Sequence, residues 1–389
     1  MISFFIFWTS VLLLAHSYMF YPAFMYVLSR RKKVNSSIFT ERDNLPSVSV
    51  IISVYNEENS IEQRIHNIFL STYPGDKMDV WIGSDGSTDN TPHLLATLQK
   101  QYPRLHCIIF DKRRGKGNVL NDIIPHPTGK ILLFSDAKVL FAPQTIYQLV
   151  KHFHNSDIGI VGGNIVNKNT RKDGISIQEN QFMSREIMIK YYEGKALGCS
   201  MGAYGACFAM RKELYKPVPP TFSVEDFYQT LQVLTDHRQS IMELNAICYE
   251  NVPNSLEEEY RRKVRISAGN FQNMAYFKRL IFQFNAIAFC FFSHKVIRWT
   301  GPLLLITSFI SGAFLATHST LYLFIFFVQS FSLILPIIDF FLHKIHIHII
   351  ILRFVTHFYS MNLALLTGFI KHTKGINTNV WEPTTRKHN

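Results

Sequence analysis

Hydrophobic residues in the first half of the chain come in short runs that end in polar or glycine-containing turns. Five such runs occupy residues 48–53, 79–84, 105–110, 131–135 and 158–166. Segments long enough to form helices separate most of them, and the first helix is expected to begin at Tyr55–Glu58 and to run to about Leu70. Short buried runs alternating with helical segments are typical of a mostly parallel sheet with helices on its faces. The pattern therefore predicts an α/β domain over residues 46–253.

Longer apolar segments lie on both sides of this predicted domain. Residues 2–28 are almost uninterrupted by charge, and residues 301–317, 321–342 and 348–370 are similar. A helix needs about 20 apolar residues to cross a bilayer. We therefore expect an N-terminal transmembrane anchor over residues 1–30 and C-terminal transmembrane segments over residues 300–371. The first segment has no basic stretch before it, which argues against a cleaved signal peptide.

The region between the α/β domain and the last apolar segments is amphipathic. Residues 255–280 place hydrophobic side chains at helical spacing, and residues 291–299 combine aromatic residues with cations. Both features are typical of helices at a membrane surface, so residues 254–299 are predicted to be interfacial and residues 372–389 to form a basic tail. Three C-terminal spans would place the C-terminus outside, whereas its cations favour the cytoplasm. One segment could then be re-entrant, broken at Pro336 or His357.

Charge supports a membrane location. The formal net charge is +12, and many of the cations lie beside apolar segments, as in residues 30–33. That placement favours anionic lipid headgroups over nucleic acid as the partner. The positive-inside rule then orients the chain in the cell (inner) membrane as a multi-pass protein, with the α/β domain in the cytoplasm.

The five cysteines show no CxxC pair and no metal-ligand spacing. We expect them to be reduced and mostly buried.

Candidate chemistry follows the predicted strands. The run Ile-Leu-Leu-Phe-Ser-Asp-Ala-Lys at 131–138 leaves Asp136 at a strand end, and Glu57, Asp85 and Lys116 lie just beyond other strands. Ligands of open α/β sheets bind at the carboxyl ends of the strands. These four residues are therefore predicted to share one crevice. Taken alone, Asp136 could equally be the N-cap of the following helix.

Several motifs in order resemble those of the family 2 glycosyltransferases. They are Val-Ser-Val-Ile-Ile-Ser-Val-Tyr-Asn-Glu-Glu at 48–58, Ser-Asp-Gly-Ser-Thr-Asp-Asn-Thr at 84–91 and Gly-Lys-Gly-Asn-Val-Leu-Asn at 115–121. Phe-Ser-Asp-Ala-Lys at 134–138, Val-Glu-Asp at 224–226 and Arg-Lys-Val-Arg-Ile at 262–266 resemble later motifs. The resemblance covers residues 47–272, and the membrane layout is similar to the processive branch of hyaluronan, chitin and cellulose synthases.

The resemblance implies a GT-A fold, which is a Rossmann-like, mostly parallel sheet. It also implies an inverting glycosyltransferase of the hexosyltransferase class. The donor would be a nucleotide sugar, with UDP favoured, and the acceptor a growing glycan or a lipid-linked glycan. Mg²⁺ or Mn²⁺ would be the cofactor, with membrane lipids as further partners.

The resemblance also assigns roles to residues. Asp226 would be the general base and Asp136 a metal ligand. Donor binding would fall to Ser53, Tyr55, Glu57, Asp85, Lys116 and Asp136, acceptor binding to Tyr204, Gly205 and Glu225, and diphosphate binding to Arg262 and Arg265.

Two positions depart from the family pattern. Lys138 replaces the second acid of the Asp-x-Asp motif, which weakens the expected metal site. Ile266 replaces a Trp.

These departures motivate a rival hypothesis, a catalytically inactive scaffold or sensor. The intact Glu225-Asp226 pair argues against it. Nucleotidyl transfer is a third possibility, but it calls for a glycine-rich basic loop after the first strand, where this chain has Tyr-Asn-Glu-Glu at 55–58.

Overall fold

The structure is a computed structural model that describes residues 1–168, 174–251, 255–376 and 380. The chain divides into two compact units. The helical unit contains Met1–Val27, Thr170–Phe182 and Val252–Gly375, and the sheet unit contains Leu28–Asn169, Met183–Asn251 and Ile376–Asn389. Most of the predicted basic tail lies outside the described residues.

In chain order, the described strands of the sheet unit are β1 (Val48–Val54), β2 (Met78–Asp85), β3 (Leu105–Phe110), β4 (Ile131–Ser135), β5 (Leu140–Phe141), β6 (Ile158–Lys168), β7 (Cys207–Arg211) and β8 (Gln239–Asn251). In the described part of the chain they form one sheet in the order β3-β2-β1-β4-β7-β6-β8-β5. Strands β3, β2, β1 and β4 are parallel neighbours, β6 is parallel to β8, and β7 runs antiparallel between β4 and β6.

In chain order, the described α-helices are α1 (Ile2–Ala15), α2 (Tyr21–Ser29), α3 (Ile61–Phe69), α4 (Thr91–Gln101), α5 (Lys116–Ile123), α6 (Thr145–Val150), α7 (Ser176–Leu197), α8 (Glu225–Thr235), α9 (Leu256–Tyr276), α10 (Ala286–Cys290), α11 (Ile297–Trp299), α12 (Gly301–Ala316), α13 (Thr320–Lys344) and α14 (Ile350–Thr373). A π-helical turn, His16–Phe20, joins α1 to α2, and a second, Phe291–Val296, joins α10 to α11.

The sheet carries a hydrophobic core on each face, because successive side chains of a strand point to opposite sides. Val50 and Ile52 of β1 belong to the core that α3, α4 and α6 cover, whereas Ile51 belongs to the core beneath α5 and α8. All five residues of β4 are buried. A strand with helices on both faces is apolar throughout, which explains the hydrophobic runs of the sequence.

The five predicted strands are confirmed to within about two residues at their ends, as expected for such boundaries. The predicted helix start at Tyr55–Glu58 is wrong, because α3 begins at Ile61. Asn56 adopts a left-handed φ of 52° and its N–H donates to Ser87, so the segment forms a loop. The sequence indicates a strand at the end of residues 198–210, where β7 lies, and does not indicate β5 or β8. Strands β7 and β8 pair with partners distant in sequence, and β5 has only two residues.

The helical unit contains helices that are long and apolar enough to cross a membrane. Three qualify among the described residues: Ile2–Ser29, Thr320–Lys344 and Ile350–Thr373. Large hydrophobic side chains remain exposed along them, such as Phe324 and Phe327 on α13. Exposed apolar surface of this extent indicates a nonpolar environment around the helices.

The sequence analysis expected one C-terminal apolar segment to be broken at Pro336 or His357, but the helices break elsewhere. Pro336 lies inside α13 and His357 inside α14, and neither ends its helix. Instead Ala286–Trp299 and Gly301–Ala316 form a helix pair bent by 63°, and together they are long and apolar enough for a broken span or a re-entrant loop. Pro302 at the start of α12 cannot donate a backbone N–H to the preceding turn, so a new helix begins there.

The five cysteines are free, and four of them are buried, as the sequence analysis predicts.

Candidate active site

The carboxyl ends of three parallel strands lie side by side in the sheet unit. Val54 of β1 is in register with Ser84 of β2, and Ile52 is in register with Ser135 of β4. Each strand then leads directly into a polar residue of the predicted site. This edge of the sheet is where the geometry of an open α/β fold places its ligands.

Asp85, the last residue of β2, holds the loop that precedes α5. Its two carboxylate oxygens accept hydrogen bonds from the backbone N–H groups of Arg114 (2.7 Å) and Gly115 (2.8 Å). The side chain is buried. Gly115 has a φ of +88°, which favours glycine, and it is the N-cap of α5. In this structure, Asp85 thus orients the turn that presents Lys116.

Lys116 joins two carboxylates from distant parts of the chain. Its Nζ lies 2.8 Å from Oδ1 of Asp136 and 2.7 Å from Oε1 of Glu225. The Glu225 side chain is only 9% exposed. Burial lowers the pKa of Lys116, but the negative charges of Asp136 and Glu225 outweigh burial and raise it above its ordinary value. The lysine is therefore positively charged at any physiological pH.

Asp226 occupies the first turn of α8 beside Glu225. Its Oδ2 accepts from the N–H of Gly205 (2.6 Å), and its Oδ1 accepts from the N–H of Phe227 (2.7 Å). Burial raises the pKa of Asp226, and the charge of Glu225 raises it further. Lys116, the Phe227 N–H and Lys190 act in the opposite direction, leaving a pKa of about 6. A carboxyl group with this pKa is suited to accept a proton near neutral pH.

Gly205 lies against the same charged groups. A Cβ at this position would be 3.1 Å from Oδ2 of Asp226, 3.4 Å from Nζ of Lys116 and 3.5 Å from Oε1 of Glu225. The predicted acceptor residues Gly205 and Glu225 and the predicted base are thus in contact. Tyr204, the predicted acceptor residue directly before Gly205, has Nζ of Lys190 3.6 Å from the centre of its ring.

Glu57 is neutralised by the lysine that departs from the family pattern. Nζ of Lys138 lies 3.4 Å from Oε1 of Glu57, and the Ser60 hydroxyl donates to Oε2 at 2.6 Å. The Lys138 side chain is 23% exposed. Lys138 therefore extends along the carboxyl edge of the sheet, from the end of β4 to the loop after β1.

Two buried cations of the sheet unit were missed by the sequence analysis. Arg64 on α3 is fully buried, and its Nη2 donates to the Ser135 hydroxyl at 2.8 Å. Burial lowers the pKa of Arg64 to about 10, so it stays charged. Lys190 on α7 is 4% exposed. Arg64 shares a helical stripe with Ile61, Ile65 and Ile68, and a charge within an apolar stripe is the signal that could have identified it.

Ser53 and Tyr55 lie at the end of β1, both partly exposed. The guanidinium carbon of Arg113 is 3.8 Å from the centre of the Tyr55 ring. This stacking joins the loop after β1 to the loop before α5. It therefore connects the first predicted donor motif to the loop just before the third.

Arg262 and Arg265 are on α9 in the helical unit. Nε of Arg262 donates to Glu259 at 3.0 Å, and Nη2 contacts Glu179 at 3.3 Å. Both glutamates are almost fully buried. Arg262 therefore helps to neutralise buried acids within this unit, and the predicted diphosphate role of the two arginines stays a prediction.

The residues around Asp136 are a poor match for a divalent metal. Mg²⁺ and Mn²⁺ prefer several oxygen ligands in a nearly octahedral arrangement. Within the described ranges, no group of three or more His, Cys, Asp or Glu side chains could hold a metal ion. Oδ1 of Asp136 already contacts the Lys116 ammonium, and position 138 is a lysine. One carboxylate held by a cation does not fit a metal site built by the protein.

Part of the chain matches a known protein family. Residues 49–218 match the model of Glycosyl transferase family 2. This stretch of the chain is similar to the family 2 glycosyltransferases. The residues that match include the donor motifs recognised in the sequence and the segment that contains Tyr204 and Gly205.

Curated relatives match over part of their length. A beta-monoglucosyldiacylglycerol synthase from Nostoc sp. is 34% identical over 120 residues, which is 30% of this chain and 26% of the relative. A poly-beta-1,6-N-acetyl-D-glucosamine synthase from Staphylococcus aureus is 26% identical over 159 residues, 38% of each chain. The chain thus spans well under half the length of either relative.

A solved structure shows the same fold over nearly the whole chain. It is a mannosyltransferase from Pyrobaculum calidifontis in complex with GDP-Man and Mn²⁺. The TM-score is 0.71 at 21% identity, and the match covers 95% of this chain and 99% of that one. The predicted GT-A fold is confirmed.

Proposed function

We propose that the protein is a membrane-embedded inverting glycosyltransferase. It transfers a sugar from a nucleoside diphosphate donor, with UDP favoured, to a hydroxyl group of a glycan or lipid-linked acceptor. The proposal rests chiefly on one observation: Asp226, with a pKa of about 6, contacts the N–H of Gly205 and lies beside the cation that joins Glu225 to Asp136. A tuned carboxylate beside a paired cation is what displacement at an anomeric carbon requires.

In the proposed reaction, Asp226 accepts the proton of the acceptor hydroxyl group. As the acceptor oxygen attacks the anomeric carbon, its proton passes to the Asp226 carboxylate. The bond between that carbon and the diphosphate oxygen breaks, and its electron pair leaves with the nucleoside diphosphate. Attack from the side opposite the leaving group inverts the anomeric configuration, and Lys116 meets the negative charge that develops on the diphosphate.

The remaining predicted residues fit this scheme as binding groups. The acceptor would lie against Tyr204, Gly205 and Glu225. Ser53, Tyr55, Glu57 and Asp136 would line the donor side, and Arg262 and Arg265 would bind the diphosphate. For Asp85 we propose an action through the loop before α5, because both its oxygens accept backbone N–H groups there.

An inactive scaffold remains the rival function. The Glu225–Asp226 pair argues against it, because buried carboxyl groups with a raised pKa cluster at catalytic sites.

One experiment tests the proposed function directly. The full chain in nanodiscs is incubated with UDP-glucose, UDP-N-acetylglucosamine, GDP-mannose and other nucleotide sugars, plus lipid and oligosaccharide acceptors. We expect nucleotide release with at least one donor and a glycosylated product, whose size separates a single transfer from polymer synthesis. Binding of a nucleotide sugar without any product would favour the scaffold.

The location is also proposed. The apolar helices of the helical unit would lie in the cell membrane, with the sheet unit in the cytoplasm and the N-terminus outside. In a Cys107→Ser background, an impermeant thiol reagent on intact cells should label Ile2→Cys and leave Thr97→Cys unlabelled. The opposite labelling would reverse the proposed orientation.

A further inference from the structure

The carboxyl edge of the sheet carries two lysines close to Asp136, the predicted metal ligand. Lys138 contacts Glu57 at 3.4 Å across the ends of β4 and β1. Lys116 contacts Asp136 and Glu225. Both lysines are partly exposed, so their ammonium groups can also meet a ligand at this edge.

A divalent cation at Asp136 would face unfavourable electrostatics. One oxygen of the carboxylate already lies 2.8 Å from the Lys116 ammonium. A metal ion on the same carboxylate would stand close to the Lys116 ammonium, which the contact with Glu225 also holds at this position. Like charges at such separations repel, and partial burial strengthens the repulsion.

Arg64 adds a third positive charge near Asp136, from the core of the sheet unit. Its guanidinium is fully buried, donates to Ser135, and is coupled electrostatically to Asp136. The Ser135 hydroxyl in turn donates to the carbonyl of Ala206, in the loop that also contains Gly205. The strand end at Asp136 is therefore already supplied with positive charge by the protein itself.

We infer that Lys116 and Lys138 neutralise the donor diphosphate in place of a divalent cation, so that donor binding and transfer need no metal. The inference rests on the proposed function, because it concerns the diphosphate of the same donor. Ammonium groups can donate hydrogen bonds to phosphate oxygens and stabilise the leaving diphosphate electrostatically. When the donor binds, Lys138 would share its charge between Glu57 and a phosphate oxygen.

Binding measurements test this without relying on activity. The full chain in nanodiscs is titrated calorimetrically with UDP and with GDP, first in EDTA and then with Mg²⁺ or Mn²⁺. For the nucleotide that binds, we expect dissociation constants in EDTA and in metal to agree within about threefold. Sugar transfer in EDTA should likewise persist.

Variants of Lys138 sharpen the test. Lys138→Met should weaken binding in EDTA by about tenfold or more, the value of a lost charge-assisted hydrogen bond. Lys138→Asp should bind poorly in EDTA and recover with Mn²⁺, because it restores a second carboxylate. Lys100→Met, an exposed lysine on α4, is the matched control and should behave like the wild type.

The two proposals fail in different ways. Wild-type binding that disappears in EDTA and returns with metal would overturn the lysine inference and leave the glycosyltransferase proposal intact. The same holds if Lys138→Met binds normally in EDTA. A folded protein that binds no nucleoside diphosphate under any condition would overturn the proposed function, and the inference with it.

Discussion

Asp226→Asn should reduce sugar transfer by about 10²–10⁴-fold, the usual contribution of a general base. The amide cannot accept the proton of the acceptor hydroxyl, whereas donor binding depends on other residues. Nucleotide affinity should therefore stay close to that of the wild type. Asparagine retains only one of the two acceptor oxygens that bind Gly205 and Phe227, so thermal unfolding must show that the variant is folded. Wild-type turnover would exclude Asp226 as the base.

The pH dependence of the wild type gives a second measurement of the same role. Asp226 must be deprotonated to act, and its pKa is about 6. Transfer should be half-maximal near that pH and fall about tenfold for each further pH unit below it.

Two residues near Asp226 should shift the acid limb of the pH profile, the fall in activity below about pH 6, in opposite directions. Glu225 raises the pKa of Asp226, so Glu225→Gln should move the limb to lower pH. Lys190 lowers the pKa of Asp226, so Lys190→Met should move the limb to higher pH. Glu213→Gln, at an exposed position, is the control and should leave the profile unchanged. Shifts in the same direction would contradict the assignment.

Lys116→Met should weaken nucleoside diphosphate binding by about 10–100-fold and reduce transfer at least as much. A charged hydrogen bond contributes about 1.5–3 kcal/mol. The variant also leaves Asp136 and the buried Glu225 without their shared cation. The local negative charge then opposes the approach of the diphosphate. Calorimetry with UDP or GDP measures the loss.

Methionine preserves most of the volume of the lysine, so the effect should come from the lost charge. Lys112→Met, four residues earlier and exposed, is the matched control and should bind normally. Unchanged nucleotide affinity in folded Lys116→Met would show that Lys116 serves only to pair Asp136 with Glu225.

The candidate site was partly predictable because its motifs directly follow strands. Parallel strands bring their carboxyl ends to one edge, so Glu57, Asp85 and Asp136 could be grouped from the order of the strands alone. The bonds of each residue could not be predicted this way. Asp85 accepts backbone N–H groups of the loop before α5, although its place in the sequence suggested a ligand contact.

Elements with a local signal could be predicted from the sequence: the five strands between residues 48 and 168, the apolar spans, and the amphipathic α9. A buried strand or a membrane helix must be apolar along its own length, so its pattern is visible without knowing its partners. The fold class follows from the alternation of these elements.

Which charged groups contact each other depends on the three-dimensional arrangement of the chain. Lys116 joins the end of β4 to the first turn of α8, and Lys138 turns toward the loop after β1. Arg64 lies in the core beneath Asp136. Such pairings depend on the positions of residues far apart in the chain and on side-chain directions at strand ends. Hydrophobic periodicity carries no information about either, because it records which face of an element is buried and not which charged groups face each other.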